Sequence, residues 1–163
     1  IGITLFETVV SFAIVTASGI CVAVLLWASR SASEILEPYL VMLNSLPKSA
    51  LAPMLIVWMG SHVHTIIAAA VSVAVFGSIL TLHTGFLSMD PDKIRLIYAL
   101  GGSKKDVLTK VLLPGSVPLI LSNMKVNVGL CLVGVIIGEF LAARRGLGYL
   151  IIYGSQVFSC VYI

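Results

Sequence analysis

Two histidines, His62 and His64, stand one residue apart, a spacing compatible with two ligands on one metal ion. A protein zinc site needs three or four ligands, and no further Cys, His or carboxylate stands close to this pair in the sequence. We therefore expect both side chains to lie in a solvated loop between spans, and we assign no metal ligands.

A phosphate-binding loop is the second chemistry to consider, because Gly101 to Lys105 has the sequence GGSKK. A nucleotide-binding P-loop has the order G-x-x-x-x-G-K-S/T after a β-strand, and this segment has neither. An intramembrane enzyme would need a Ser/His/Asp set, paired carboxylates or a His-rich metal set, and the sequence shows no such cluster. We therefore predict neither an ATP site nor a catalytic site; turnover by the isolated chain would contradict this.

Lys125 is an ionisable residue inside an apolar stretch, which is a functional hypothesis by default. At 1.5 Å per residue it lies about 16 Å along a helix from Pro114, so its amine can reach the nearer interface. Helix pairing and direct solute contact are the alternatives. Asn123 and Asn127 share one helix face, roughly opposite Lys125, where they either line a solute path or form hydrogen bonds between helices.

Glu139 is expected at the outer boundary of its span, as an interface anchor or in a salt bridge with Arg144 or Arg145. The cysteines are odd in number and lie in apolar stretches without metal-ligand spacing, so they form no disulfide framework. We interpret them as small apolar residues: Cys21, Cys131 and Cys160.

Lipid surrounds most of the elements that hold these residues. Hydrophobic residues make up 59% of the chain, charged residues 10%, and the mean hydropathy is +1.10, whereas about a quarter of residues are charged in soluble domains. Asp90 to Lys110 holds eight charges and Ser49 to Met89 none, which is typical of alternating loops and spans. The net charge of +3, without aromatics among the basic residues, excludes a nucleic-acid surface.

We predict an all-α fold, a polytopic transmembrane helical bundle, because a helix of roughly 20 apolar residues crosses the bilayer core. Pro47 and Lys48 interrupt the second span, with Pro53 further on, so we predict two shorter helices with a break there. The sequence indicates about five spans, at residues 8 to 28, 38 to 59, 65 to 87, 115 to 138, and 147 to the end.

The distribution of basic residues predicts the orientation. Outside the spans, six Lys and Arg residues fall on one side and two on the other. Because positively charged loops remain in the cytoplasm, we predict that residues 88–114 are cytoplasmic. The six are Arg30, Lys93, Arg95, Lys104, Lys105 and Lys110, and the two are Arg144 and Arg145.

The long loop between the third and fourth spans has its own start and stop signals. Asp90 followed by a proline is typical of a helix N-terminus, and Gly101 with Gly102 would end that helix. Ser103 and Asp106 form an S-x-x-D capping pattern for a second helix. The loop is therefore predicted as helix, glycine corner, helix. Its apolar face needs a partner and comprises Ile94, Ile97, Leu100 and Leu108.

The spacing around this corner is that of a known signature. Gly101 is followed after nine residues by Val111, and then by Leu113 and Pro114. It resembles the signature of binding-protein-dependent ABC transporter permeases, which is E-A-A, three residues, Gly, nine residues, Ile, one residue, Leu-Pro. Arg95 stands where that signature has Glu.

The resemblance covers nearly the whole chain. The segments YALGGSKKDVLTKVLLPGSVPLI and LNSLPKSALAPMLIVWMG, together with Glu139 and the later RGLG, resemble the nitrate, sulfonate and taurine branch of the family. We therefore expect 1–163 to be a single transmembrane permease domain with a coupling loop at 90–114. Since family members usually have another N-terminal helix and a longer C-terminus, we expect a fragment.

The resemblance implies an importer of the bacterial cell membrane whose loop docks on a separate ABC ATPase subunit. Further implied partners are a second permease subunit, an extracytoplasmic solute-binding protein and membrane lipid; ATP and Mg belong to the ATPase, with no cofactor in this chain. Nitrate, sulfonates, and vitamin or pyrimidine precursors remain open as solutes. The implied coupling residues are Arg95, Ile97, Ala99, Leu100, Gly101, Gly102, Ser103, Val111, Leu113 and Pro114.

A secondary transporter or channel is the alternative reading, since such proteins are also polytopic. It would not require an amphipathic cytoplasmic helix pair with this signature spacing. Copurification of an ATPase separates the two.

Overall fold

The structure is a computed structural model that describes residues 1–142 and 146–161. The regular elements of these residues are helical, in agreement with the predicted all-α fold. They are α1 (Gly2–Ala28), α2 (Arg30–Ser45), α3 (Lys48–Met59), α4 (Val63–Leu87), α5 (Pro91–Ala99), α6 (Lys104–Val107), a π-helical turn (Leu108–Leu112), α7 (Leu113–Gly115), α8 (Val117–Ala142) and α9 (Leu147–Val161).

Three helices in the described residues are long and apolar enough to cross a membrane: α1, α4 and α8. Helices α2 and α3 count as a fourth span if the pair, bent by 98°, is taken as one broken segment. The predicted break at Pro47 is therefore confirmed. The fifth predicted span corresponds to α9, of which 15 residues are described, so the count of five stays a prediction.

Helix α1 begins at Gly2, six residues before the predicted start of the first span at residue 8. Sequence hydropathy placed the boundary too late because Thr4, Glu7 and Thr8 are polar. All three are buried on the inner face of α1. Arg144 and Arg145, which carried the predicted charge of the opposite side, lie outside the described residues.

Helices α1 and α4 run in the same direction and α8 runs against them. Val15 of α1 packs with Ala74 of α4 and Cys131 of α8. Towards the C-terminal ends of α1 and α4, Ala23 packs with Leu82. This direction follows from the chain, because the bent α2–α3 segment crosses the bundle once between α1 and α4. The α1 and α4 C-termini and the α8 N-terminus therefore lie at one end.

Two glycines bring α8 into contact with the backbone of α4. A Cβ on Gly134 would lie 2.7 Å from the Cα of Ala70, and a Cβ on Gly138 would lie 3.0 Å from Cγ2 of Ile66. Small residues four positions apart allow such close packing in membranes. Neither position has room for a larger side chain without separating the two helices.

Candidate functional site: the helical loop between α4 and α8

Helix α5 begins as the sequence predicts. The Asp90 side chain accepts a hydrogen bond from the Asp92 N–H at 3.0 Å, and Pro91 occupies the first turn. A side-chain acceptor at this position satisfies one of the backbone donors that a helix start leaves unpaired. The predicted N-terminus at Asp90 is confirmed.

The corner after α5 is a Schellman motif. The Gly101 N–H donates to the Tyr98 carbonyl at 3.0 Å, and the Gly102 N–H donates to the Ile97 carbonyl at 2.9 Å. Gly101 has φ +78°, which favours glycine. A Cβ on Gly102 would lie 2.8 Å from the Ile97 carbonyl oxygen. The two glycines therefore have different roles, Gly101 for its backbone angle and Gly102 for close contact.

The second helix of the loop has the predicted capping box. The Asp106 carboxylate accepts from the Ser103 N–H at 2.9 Å, and the Ser103 hydroxyl accepts from the Asp106 N–H at 3.4 Å. Lys110 lies 2.8 Å from the same carboxylate. The interaction with Lys110, and to a smaller extent the hydrogen bonds from Ser103, hold the pKa of Asp106 well below its usual range. A carboxyl group whose pKa is lowered by folding stabilises the folded state until the pH falls through that lowered pKa. The cap is therefore formed at neutral pH.

The two halves of the loop differ in burial. Val107 and Leu112 are fully buried, and Leu112 belongs to a cluster with Leu82 and Phe86 near the ends of α1 and α4. Leu108 packs against the same cluster, so the expectation of an external partner was wrong for this one residue of the predicted apolar face. The chain itself covers it.

Helix α5, by contrast, has no buried residue. Leu100 is 76% exposed and Leu96 59% exposed. Arg95 lies on the exposed surface as well, 3.4 Å from Asp92. The apolar surface without a partner in the described chain therefore belongs to α5 and the residue that follows it.

The remaining predicted coupling residues surround this corner. Ile97 is half-buried beside Gly102, and Ala99 and Ser103 are exposed. Val111 and Leu113 are half-buried, whereas Pro114 is exposed at the start of α7. The structure thus places these residues along one continuous segment, and their role in coupling stays a prediction.

Lys104, named in the sequence analysis only as one of the six basic residues on the predicted cytoplasmic side, contacts another helix. Its Nζ donates to the Ala28 carbonyl oxygen at 2.6 Å and lies 5.7 Å from the centre of the Trp27 ring. Sequence spacing carried no signal for this contact, because 76 residues separate its two ends.

The predicted polar positions of α8 point in two directions. Asn123 and Asn127 are buried, and their side-chain amides donate to Ser78 Oγ of α4 at 2.8 and 2.9 Å. Lys125 is exposed. The two asparagines therefore make the interhelical hydrogen bonds that were one of the two alternatives, and a translocation path at any of the three stays a prediction.

Glu139 is fully buried rather than placed at an interface. It accepts from the Gly148 N–H at 2.9 Å and lies near the carboxyl group of Glu7 on α1. The salt bridge proposed with Arg144 or Arg145 falls outside the described residues.

The Glu7–Glu139 pair is a carboxylate pair that sequence reasoning missed. A signal was present in α1, where Thr4, Glu7 and Ser11 recur at helical spacing and all three are buried. The pair is sealed from solvent, with Glu7 1% and Glu139 0% exposed, whereas acid–base chemistry on a substrate needs access to it.

The histidines lie apart from this arrangement. His62 and His64 are exposed at the start of α4, and among the described residues no group of three or more His, Cys, Asp or Glu could hold a metal ion. His83, which the sequence analysis did not single out, is buried with its Nε2 3.1 Å from Ser33 Oγ. It connects α4 to α2.

Comparison with known proteins gives a match along most of the chain. The profile of the family described as binding-protein-dependent transport system inner membrane component matches residues 12–159. The formylaminopyrimidine transport permease protein of Halalkalibacterium halodurans is 28% identical over 131 residues, which are 80% of this chain and 52% of that protein. The taurine transport system permease protein of Escherichia coli is 29% identical over 134 residues, 82% of this chain and 48% of that protein. The chain thus spans about half the length of these relatives.

Proposed function

This chain belongs to the family of binding-protein-dependent transport system inner membrane components, and on that premise we propose that it is the transmembrane permease subunit of an ATP-driven ABC importer. The recognition of a permease resembling the nitrate, sulfonate and taurine branch is confirmed. So is the location in a membrane, with several spans. Members of this family are transport subunits, so we assign ATP hydrolysis to a partner.

One observation carries the coupling part of this proposal: the loop is divided into an anchored half and an exposed half. The second half of the loop is held in the bundle by Val107 and Leu112, while α5 projects with Leu96, and Leu100 directly after the helix, exposed. An amphipathic helix with an open apolar side is suited to a groove on a partner protein. We propose that the groove belongs to an ABC ATPase and that α5 is the helix that enters it.

The solute belongs to a small class in this proposal. The relatives' names specify taurine and formylaminopyrimidine transport, so we propose a small organic sulfonate or a vitamin precursor, delivered by an extracytoplasmic binding protein. A second permease subunit, identical or related, completes the solute path. Binding of a panel of these solutes to the binding protein encoded beside the full-length chain would identify the solute.

Reconstitution tests the assignment. The full-length chain is purified with its ATPase, inserted in lipid vesicles and supplied with binding protein and solute. We expect the ATPase to copurify and uptake to require ATP. Uptake that persists without any ATPase would identify a secondary transporter or channel instead and would contradict the proposal.

A further inference from the structure

The corner between α1 and α2 exposes a backbone acceptor. Helix α1 ends because Ser29 is extended, with φ −127° and ψ 108°. In an uninterrupted helix the Ala32 N–H would bond to the Ala28 carbonyl. Here that N–H is turned to the Ser29 side chain, at 3.4 Å. The Ala28 carbonyl can therefore accept a hydrogen bond from elsewhere in the chain.

Lys104 supplies the donor. Its Nζ is 2.6 Å from the Ala28 carbonyl oxygen and 5.7 Å from the Trp27 ring centre. Helix α1 has no basic residue in its own last turn, although a cation is favourable at the negative end of a helix dipole. An amine over an aromatic ring adds a further attraction. One side chain thus makes two favourable contacts at the same helix end.

Lys104 lies between the exposed helix α5 and the buried second half of the loop. It is the first residue of α6, directly after the cap at Ser103 and two residues after Gly102 of the Schellman corner. Three residues later, Val107 is fully buried. Only a few residues separate the backbone of Lys104 from α5 on one side and from the buried part of the loop on the other. A displacement of α5 would therefore also move Lys104.

We propose that Lys104 is a positioning residue that transmits movement of the loop to α1 and to the α1–α2 corner. The inference rests on the proposed coupling function of α5 and extends it. Helices α4 and α8 are joined to the loop by the chain itself. Helix α1 meets the loop through side chains, of which Lys104 forms the polar contact. Without it, α4 and α8 respond to the ATPase while α1 follows weakly.

Three variants of the full-length chain in its complex test this role. Lys104→Met keeps the apolar stem and removes the charge and donors, Lys104→Arg keeps both, and Lys105→Met alters the exposed neighbour. Copurified ATPase, ATP hydrolysis and solute uptake are measured in vesicles. We expect Lys104→Met to bind the ATPase normally while solute taken up per ATP hydrolysed falls about fivefold, the scale of one lost hydrogen bond. Arg should restore it, and Lys105→Met should match the unmodified chain.

Each other outcome overturns the inference. Unchanged uptake per ATP in Lys104→Met, no rescue by Arg, or an equal defect in Lys105→Met would show that the contact does not transmit movement. A Lys104→Met chain that loses the ATPase altogether would identify a binding residue instead. If the unmodified chain itself fails to bind an ATPase, the proposed function falls and this inference with it. If it binds and transports but Lys104→Met is normal, only this inference falls.

Discussion

Gly101 sets the direction of the chain between the two helices of the loop through its backbone conformation. Its φ of +78° lies in the left-handed region, and apart from Gly101 and its two chain neighbours no residue has a heavy atom within 4 Å of the position that a Cβ would take. The constraint is therefore one of backbone angle and not of space. Substitutions at Gly101 can therefore test the backbone angle alone: a residue that adopts positive φ and one that does not will differ in backbone strain and not in packing.

Gly101→Val should abolish uptake and weaken ATPase association. A β-branched residue at positive φ costs on the order of 1–3 kcal/mol, enough to change the angle between α5 and α6, while the spans are unaltered. Gly101→Asn is the matched variant, because asparagine adopts this conformation readily, and it should retain most activity. Uptake and stimulated ATP hydrolysis in vesicles are the measurements. Near-normal values for the Val variant would place the coupling site elsewhere.

Glu139 should be required for stability at the opposite end of the bundle. Glu139→Ala leaves the Gly148 N–H without its acceptor, and an unpaired buried donor costs about 1–3 kcal/mol. We expect a lower thermal unfolding midpoint in detergent for this variant. Glu139→Gln keeps a side-chain oxygen that can accept from the Gly148 N–H, so its midpoint should fall less. Equal losses in the two variants would show that the hydrogen bond from Gly148 does not stabilise the fold.

Among the elements, the π-helical turn explains how the loop re-enters the bundle. Val107 and Leu112 are five residues apart and both fully buried. In an α-helix residues five apart face different directions, whereas the i to i+5 geometry of a π-turn returns the chain to the same face. In the sequence, Val107, Leu108, Val111 and Leu112 stand at ordinary helical spacing. The turn concentrates burial on the first and last of these.

The interface between α4 and α8 depends on one hydroxyl that accepts from two amides. Ser78→Ala removes the acceptor of Asn123 and Asn127, and interhelical hydrogen bonds in membranes are worth about 0.6–2 kcal/mol. We expect a fall in unfolding free energy of about 1–2 kcal/mol, measured by denaturation in detergent. Lys125→Ala, on the exposed face of α8, should change it by less than about 0.5 kcal/mol. A stability loss as large in the Lys125 variant would contradict this division of the helix.

For the whole molecule, the helix packing and the distribution of basic residues predict the same membrane topology, with the two ends of α4 on opposite sides of the membrane. Single cysteines replacing Lys105 and His62, in a chain without its native cysteines, should react with impermeant reagents from opposite sides of the membrane. The two positions lie at opposite ends of α4. In intact cells we expect labelling at position 62 and none at 105 until the cells are opened. Labelling of both from outside would contradict the topology.

Much of this architecture could be predicted because the responsible signals are local. The spans follow from apolar length, the break from Pro47, and the capping box from Ser103 and Asp106. Contacts between distant residues had no such signal. The Glu7–Glu139 pair and the Lys104–Ala28 bond join segments on different helices, and only the direction of packing brings them together. Features that neighbouring residues determine were therefore predicted, whereas these contacts between distant helices were not.

The close contact of Gly134 and Gly138 with α4 has a mechanical consequence. Together with the Ser78 hydrogen bonds it opposes sliding or separation of α4 and α8, and the loop connects one end of α4 to the adjacent end of α8. Both ends of the loop are thus attached to one closely packed pair of helices. We therefore expect a force on α5 to rotate these two helices together and not to open a gap between them. On the proposed coupling function, we therefore expect the gate to lie along the outer sides of this pair.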